Sequence, residues 1–213
     1  MSDLLSRMRI VFAKTAPMRY TSHLDLHRTW ERTFRRANIP LAYRHGFNPR
    51  PRLSLASALP LGFTSQEEIL EVWIGAQMPS NEIYSSLVKA LPPGLEISSI
   101  EEVDLKEPAL QTQIESAEYR ITFLHQITDL NARCQSLLDA ANLPRQWKDK
   151  TYDLRPLILE IDINSPDVDG NQTIVLRLKA REGATGRPEE VISALGAEPE
   201  DTRIHRVRLI VLQ

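Results

Sequence analysis

Four arginines in one helical stretch, Arg28, Arg32, Arg35 and Arg36, fall at i, i+4, i+7 and i+8. That spacing puts them on one face of a helix, opposite Leu26, Trp30 and Phe34. Like charges set side by side repel one another, so such a face is either solvated or waiting for an anion. Ordinary solvated faces mix signs, whereas here Glu31 is the only acid between Arg28 and Gln66. Residues 44–52, Arg-His-Gly-Phe-Asn-Pro-Arg-Pro-Arg, add Arg44, Arg50 and Arg52 to a segment stiffened by Pro49 and Pro51. Arginine forks match phosphate oxygens, and Phe47 or Tyr43 could stack on a base beside Asn48, a combination suited to single-stranded or looped RNA. Gly46 allows a positive φ or a close backbone approach. The bland alternative for Phe47 is a plug for the core.

Tyr20 and His23 stand where the first strand turns into this helix, and a histidine there could contact phosphate or act as an acid or base. His23, His27 and His45 lack the nearby cysteine or paired carboxylates of a recognisable metal site, so no metal and no cofactor is expected. In the second half Lys148, Lys150 and Arg155 surround residues 152–156, Tyr-Asp-Leu-Arg-Pro, and Arg187 precedes Pro188. Lys150, Arg155 and Arg187 are therefore secondary candidates for anion contact, with Asp153 a ready internal partner for Arg155. Phosphate-binding glycine loops, nucleophile elbows and metalloprotease helices have no counterpart in the sequence.

The charge is unevenly shared. Residues 1–60 hold eleven Lys or Arg against three acids, leaving fifteen basic and twenty-five acidic residues in 61–213. The two ends should therefore attract different things, despite a net charge of only -2. Cys134, the single cysteine, excludes an internal disulfide and any thiolate-bound cluster built from this chain alone, and its place in an amphipathic stretch reads as a small buried hydrophobe. No run of about 18 apolar residues is present and residues 1–9 are too polar for a signal peptide, so a cytoplasmic chain without membrane contact is expected.

The elements that must position these residues can be read in order. Residues 8–13, Met-Arg-Ile-Val-Phe-Ala, suit a strand. Ser22 with Asp25 three positions on fits a capping box, and the apolar spacing then runs to a stop at Asn38 and Pro40. Residues 41–43 and 52–56 flank the glycine-proline loop, 68–74 alternate as a strand, 79–91 form a helix and 95–103 a strand. The order then recurs: strand 118–124, helix 128–141, strands 157–163 and 173–179 turning at Asp169-Gly170, a short helix from Arg187-Pro188, and strand 204–212. Two copies of βαββαβ predict an α+β protein of two tandem ferredoxin-like halves with antiparallel sheets, 1–105 basic and 116–213 acidic, joined by a polar linker over 104–116.

Residues 18–26, Met-Arg-Tyr-Thr-Ser-His-Leu-Asp-Leu, residues 43–52 and Leu59-Pro60-Leu61-Gly62 together resemble the radical-SAM-linked protein family, a bacterial domain of unknown function. Asp153-Leu154-Arg155-Pro156 and residues 187–191 extend the resemblance over nearly the whole chain. Arg50 departs from it, standing where histidine is expected in many members, so no role of a histidine transfers to that position. The resemblance implies a companion of a radical-SAM protein, or a domain fused to one, and its gene neighbourhoods lean toward RNA. The element order also resembles the RAMP superfamily of CRISPR RNA-binding proteins and endoribonucleases, which implies a metal-independent endoribonuclease with His23 as acid or base and Tyr20 assisting. The leading expectation is a noncatalytic RNA-binding or substrate-presenting accessory protein for a radical-SAM enzyme acting on rRNA or tRNA, with no preference for DNA. Its contacts would be Arg28, Arg32, Arg35, Arg36, Arg44, Phe47, Asn48, Arg50 and Arg52. A protein-interaction adaptor using the same arginines is the further alternative.

Overall fold

The structure, a computed structural model, describes residues 5–147 and 150–212, apart from the side chains of Trp147 and Lys150. The chain divides into two compact units, one reaching Gln113 and one starting at Ile114. It is a mixed α+β chain with four α-helices among the described residues and antiparallel strand pairing within each unit.

The first unit runs β1 (Ser6–Lys14), α1 (His23–Arg36), β2 (Leu53–Leu55), β3 (Thr64–Ile74), α2 (Ser80–Ala90) and β4 (Leu95–Val103). β1 pairs with β3 on one side and β4 on the other, and β2 joins the far edge of β3. Successive side chains of a strand point to opposite faces. Met8, Ile10 and Phe12 of β1 and Leu70, Val72 and Ile74 of β3 accordingly share one buried face. Leu26, Trp30 and Phe34 of α1 and Ile83 and Leu87 of α2 close over it. Phe12 meets Trp30 edge to face at 4.9 Å. Emptying Trp30, which is wholly buried, would cost about 3–5 kcal/mol.

α1 begins as its sequence predicts: Ser22 is the N-cap, its hydroxyl accepting from the Asp25 amide at 3.2 Å. It ends at Asn38, whose φ of 55° is the left-handed turn that stops a helix.

The other face of this sheet is polar and covered. Glu71 is fully buried, accepting from Arg7 Nε at 2.9 Å and from Arg9 Nε and Nη2 at 3.1 and 2.8 Å. Arg7 also donates to the carbonyls of Asp104, Glu107 and Pro108. Arg9 reaches the Glu107 carboxylate at 2.9 Å, and Gln111 donates to the Leu55 carbonyl. The stretch expected to be a linker over 104–116 is thus strapped to the sheet by backbone acceptors that any sequence carries. It holds a 3-10 turn (Leu110–Gln113) and gives its last three residues to the next strand.

The second unit runs β5 (Ile114–Phe123), α3 (Leu130–Asp139), β6 (Pro144–Trp147), β7 (Lys150–Asp153), β8 (Ile158–Asn164), β9 (Thr173–Arg181), β10 (Ala184–Thr185), α4 (Pro188–Ala194) and β11 (Thr202–Val211). β5 lies between β11 and β9, and β8 pairs with β9. The β6–β7 hairpin and the two-residue β10 are additions to the expected plan, and β5 starts four residues earlier than its apolar pattern suggests. Gly170 supplies the positive φ of the β8–β9 turn. Cys134 is buried, and burial pushes its thiol up to about 11. No helix among the described residues is long and apolar enough to cross a membrane.

Candidate nucleic-acid interface

The entry to α1 is built by a residue that lies in the wrong place for a surface cation. Lys14 continues the inward series Met8, Ile10, Phe12 and is fully buried. Its Nζ donates to the carbonyls of Arg19, Thr21 and Phe63 at 3.2, 3.0 and 3.1 Å. Those bonds, with the Gly62 amide on the Arg19 carbonyl at 3.0 Å, hold residues 19–21 against residues 62–63. From the other side, Thr15 donates to the Gly94 carbonyl at 2.9 Å. The approach is so close that a Cβ at Gly94 would stand 2.6 Å from Met18 Cγ.

On that base α1 presents Arg28, Arg32, Arg35 and Arg36, all exposed, on the side away from its buried stripe. Arg28 pairs with Asp25 at 3.3 Å, and Arg36 reaches the Thr33 hydroxyl at 3.4 Å. Glu31, the only acid between Arg28 and Arg36 in the sequence, is engaged by His27 Nδ1 at 3.2 Å instead. Arg32 and Arg35 have no ion-pair partner among the described residues. Arg36 also lines an open cleft of about 410 Å³ with Lys89, where the C-terminal ends of α1 and α2 lie together.

Residues 44–50 form an excursion with a closed neck. The Arg44 amide bonds the Arg50 carbonyl at 2.9 Å, Tyr43 bridges to Pro51, and the Arg52 amide bonds the Ala42 carbonyl at 2.8 Å. Ala42 and Arg52 are themselves hydrogen-bonded to Trp73 of β3. Every side chain from Tyr43 to Arg50 is exposed. Phe47 is at 108% exposure, so it does not plug the core. Gly46, at φ 146°, takes a backbone angle that a side chain would strain. Arg44 and Arg50 have no ion-pair partner among the described residues. Arg52 is instead stacked over the Trp73 ring at 4.6 Å, a cation–π contact that half-buries it. The loop leaves beside α1, since His27 Nε2 lies 3.4 Å from the Leu53 carbonyl.

The basic excess of the first 60 residues is therefore narrower on the surface than in composition. Arg7, Arg9 and Lys14 are buried or largely buried in bonds of their own, and the exposed share falls to α1 and the 44–50 loop.

Tyr20 is 78% exposed at the entry to α1, while His23 is half-buried in its first turn with Nδ1 withdrawn from solvent. In the second unit Arg155 donates to the carbonyls of Leu138 and Ile158 at 2.9 and 3.0 Å, which ties β8 to α3. Asp153 accepts from the amides of Leu143 and Arg155 and does not pair with the guanidinium. Arg187 is half-buried beside Tyr152, whose hydroxyl is raised by burial and by Glu190. Lys148 and the side chain of Lys150 lie outside the described residues. Among the described residues no three of His, Cys, Asp and Glu gather as a ligand set. Two participants escaped sequence reasoning: Trp73, which seats Arg52, and Lys14, whose inward phase on β1 was the available signal.

This mixed α+β chain, with its cations concentrated in the first 60 residues, finds its family by sequence. Residues 7–188 match the family described as "Uncharacterized protein conserved in bacteria (DUF2344)", and the chain belongs to that family. No curated protein matches the sequence. Among solved structures, the chain is similar to the crystal structure of a Cbf5-Nop10-Gar1 complex, at 8% identity and a TM-score of 0.51, over 95% of this chain and 48% of that one. It is also similar to the archaeal box H/ACA sRNP Nop10-Cbf5 complex, at 10% identity and a TM-score of 0.46, over 95% of this chain and 47% of that one. The chain thus spans about half the length of these structures, and the likeness to the first, at a TM-score of 0.51, is one of fold alone.

Proposed function

We propose that this chain is an RNA-binding or substrate-presenting accessory protein, and that its two compact units are successive ferredoxin-like halves, the second with an inserted hairpin. The observation that carries the proposal is a set of exposed cations without carboxylate partners, Arg32, Arg35, Arg44 and Arg50, beside a fully exposed Phe47 on a loop with a closed neck. Unpaired guanidinium groups on a rigid base suit phosphate, and an aromatic ring already out of the core stacks on a base at little further cost. Arg28, Arg36 and Asn48 complete the contact set, and Arg52 supports the loop through Trp73. The resemblance to radical-SAM-linked proteins makes a radical-SAM enzyme acting on rRNA or tRNA the expected companion.

Equilibrium binding to a labelled single-stranded RNA at several salt concentrations tests this. Each phosphate neutralised adds about -0.7 to the log–log slope for single strands. Arg32→Ala/Arg35→Ala/Arg36→Ala should flatten the slope by about 2 and weaken binding to every sequence alike. Phe47→Ala should cost about 1–3 kcal/mol without changing the slope. Unchanged affinity in both variants refutes the reading. The adaptor alternative predicts that a pull-down of the companion survives nuclease treatment.

The endoribonuclease reading has one observation in its favour, the exposed Tyr20 next to His23 at the helix entry. Incubation with labelled RNA in chelator decides it: no cutting removes the activity, and His23→Ala cutting as well as wild type removes His23.

A further inference from the structure

Over residues 114–213 the chain has thirteen Lys or Arg against sixteen Asp or Glu, an acidic balance. The sheet of the second unit nevertheless sorts these charges. Seven of the thirteen cations lie on β5, β9 and β11, three neighbouring strands. On one face of those strands Ala117, Tyr119, Ile121, Phe123, Ile174, Leu176 and Leu178 are buried, with Arg206 among them.

The opposite face follows from register. Arg203 pairs opposite Thr122, Arg120 lies between His205 and Val175, Glu118 lies between Arg208 and Arg177, and Ser116 stands opposite Lys179. Arg120 and Arg203 are exposed and Lys179 is half-exposed. Two cations on this face are matched internally, Arg208 by Glu118 at 2.9 Å and Arg177 by Glu160 at 2.8 Å. Arg120, Lys179 and Arg203 make no close ion pair among the described residues, and Arg203 has only the longer-range attraction of Asp167.

The first unit makes the contrast. There the corresponding face, with Arg7 and Arg9, is neutralised by Glu71 and shut under residues 104–113. In the second unit the arginines of this face reach solvent. Strands lie about 4.8 Å apart and same-face residues about 6.7 Å along each strand, so the three unmatched cations form a row of point contacts. Among the described residues no Phe, Tyr or Trp shares the face, since Tyr119 and Phe123 point into the core, and its imidazole, His205, stands opposite Arg120. Such a surface grips a charged backbone and leaves bases unread.

We propose that this strand face is a second contact surface for the phosphate backbone of RNA, placed in the unit whose net charge argues against one. The proposal rests on the reading that the partner of the chain is RNA. The test uses the full chain and a fluorescein-labelled 20-nucleotide oligouridylate, titrated at 50–300 mM salt. Arg120→Ala/Lys179→Ala/Arg203→Ala should flatten the log–log slope by about 2. Thr122→Lys, which adds a cation beside Arg203, should steepen it by about 0.7, a gain that misfolding cannot imitate. Equal losses on oligoadenylate are expected from a face that reads no bases.

Wild-type slopes in both variants overturn the proposal, and if Arg32→Ala/Arg35→Ala/Arg36→Ala still weakens binding in the same assay, the first-unit reading stands without it. A wild-type chain that binds neither oligonucleotide overturns both. An acidic protein as the true occupant would appear as unchanged RNA binding by the sheet-face variants, which also overturns the proposal.

Discussion

Glu71→Leu tests how the first unit is held together. Glu71 is fully buried and is the shared carboxylate of Arg7, which is 2% exposed, and Arg9. Arg9 keeps Glu107 when Glu71 is removed, but Arg7 keeps only backbone carbonyls and the Trp73 ring and becomes a buried charge without a counterion. Breaking one side of a buried pair costs about 3–5 kcal/mol, and for a chain of this size each kcal/mol lowers Tm by about 2–4 °C. The expected fall is therefore roughly 6–20 °C. Thermal unfolding followed by tryptophan fluorescence reports it, with urea unfolding giving the free energy, because Trp30 and Trp73 belong to this unit and Trp73 lies under Arg7. Arg7→Met/Glu71→Leu should recover a good part of the loss, since removing both charges removes the desolvation cost with them. A Glu71→Leu chain within about 1 kcal/mol of wild type would refute the claim that this network organises the sheet's second face.

Gly94→Ala should destabilise by about 1–3 kcal/mol, measured as the urea midpoint, because φ is +95° and the new Cβ would meet Met18. Cys134, its thiol pushed up to about 11 by burial, should resist a thiol reagent at pH 8 in the native chain and react at once in denaturant. Burial raises the Glu189 carboxyl, so the folded state prefers it protonated and loses stability as pH rises from its unfolded value through its folded one. Glu189→Gln should therefore raise Tm at pH 7 and leave it nearly unchanged near pH 4, by thermal unfolding at both.

The sequence was most legible where a local rule and the tertiary structure agree. Ser22 and Asp25 announce α1, and the strand expected over 95–103 is β4 itself. Boundaries slipped where packing continues beyond the apolar pattern: the strand expected from residue 68 begins at Thr64, with Ser65 opposite Lys14. The pairing of β6 with β7 was invisible because these strands alternate no apolar residues and β6 opens on proline.

The candidate site was legible in kind but not in extent. A count of Lys and Arg cannot know that Arg7 finds Glu71 sixty-four residues away, or that its remaining bonds go to backbone carbonyls. Nor could alternation say that Phe47 stays outside the core, since an aromatic next to Gly46 fits a plug and a platform equally. The basic face of the second unit was hidden for the opposite reason. Its cations are out of sequence with one another and meet only through the register of β5, β9 and β11.

Photo-crosslinking of the full chain to 4-thiouridine-labelled RNA, with the attached peptides mapped by mass spectrometry, tests the central claim most directly. Adducts concentrated on residues 43–52 and on α1, and lost when Arg44 and Arg50 become alanine, are the predicted result. Abundant adducts that avoid both segments, or none at salt as low as 50 mM, would contradict the account.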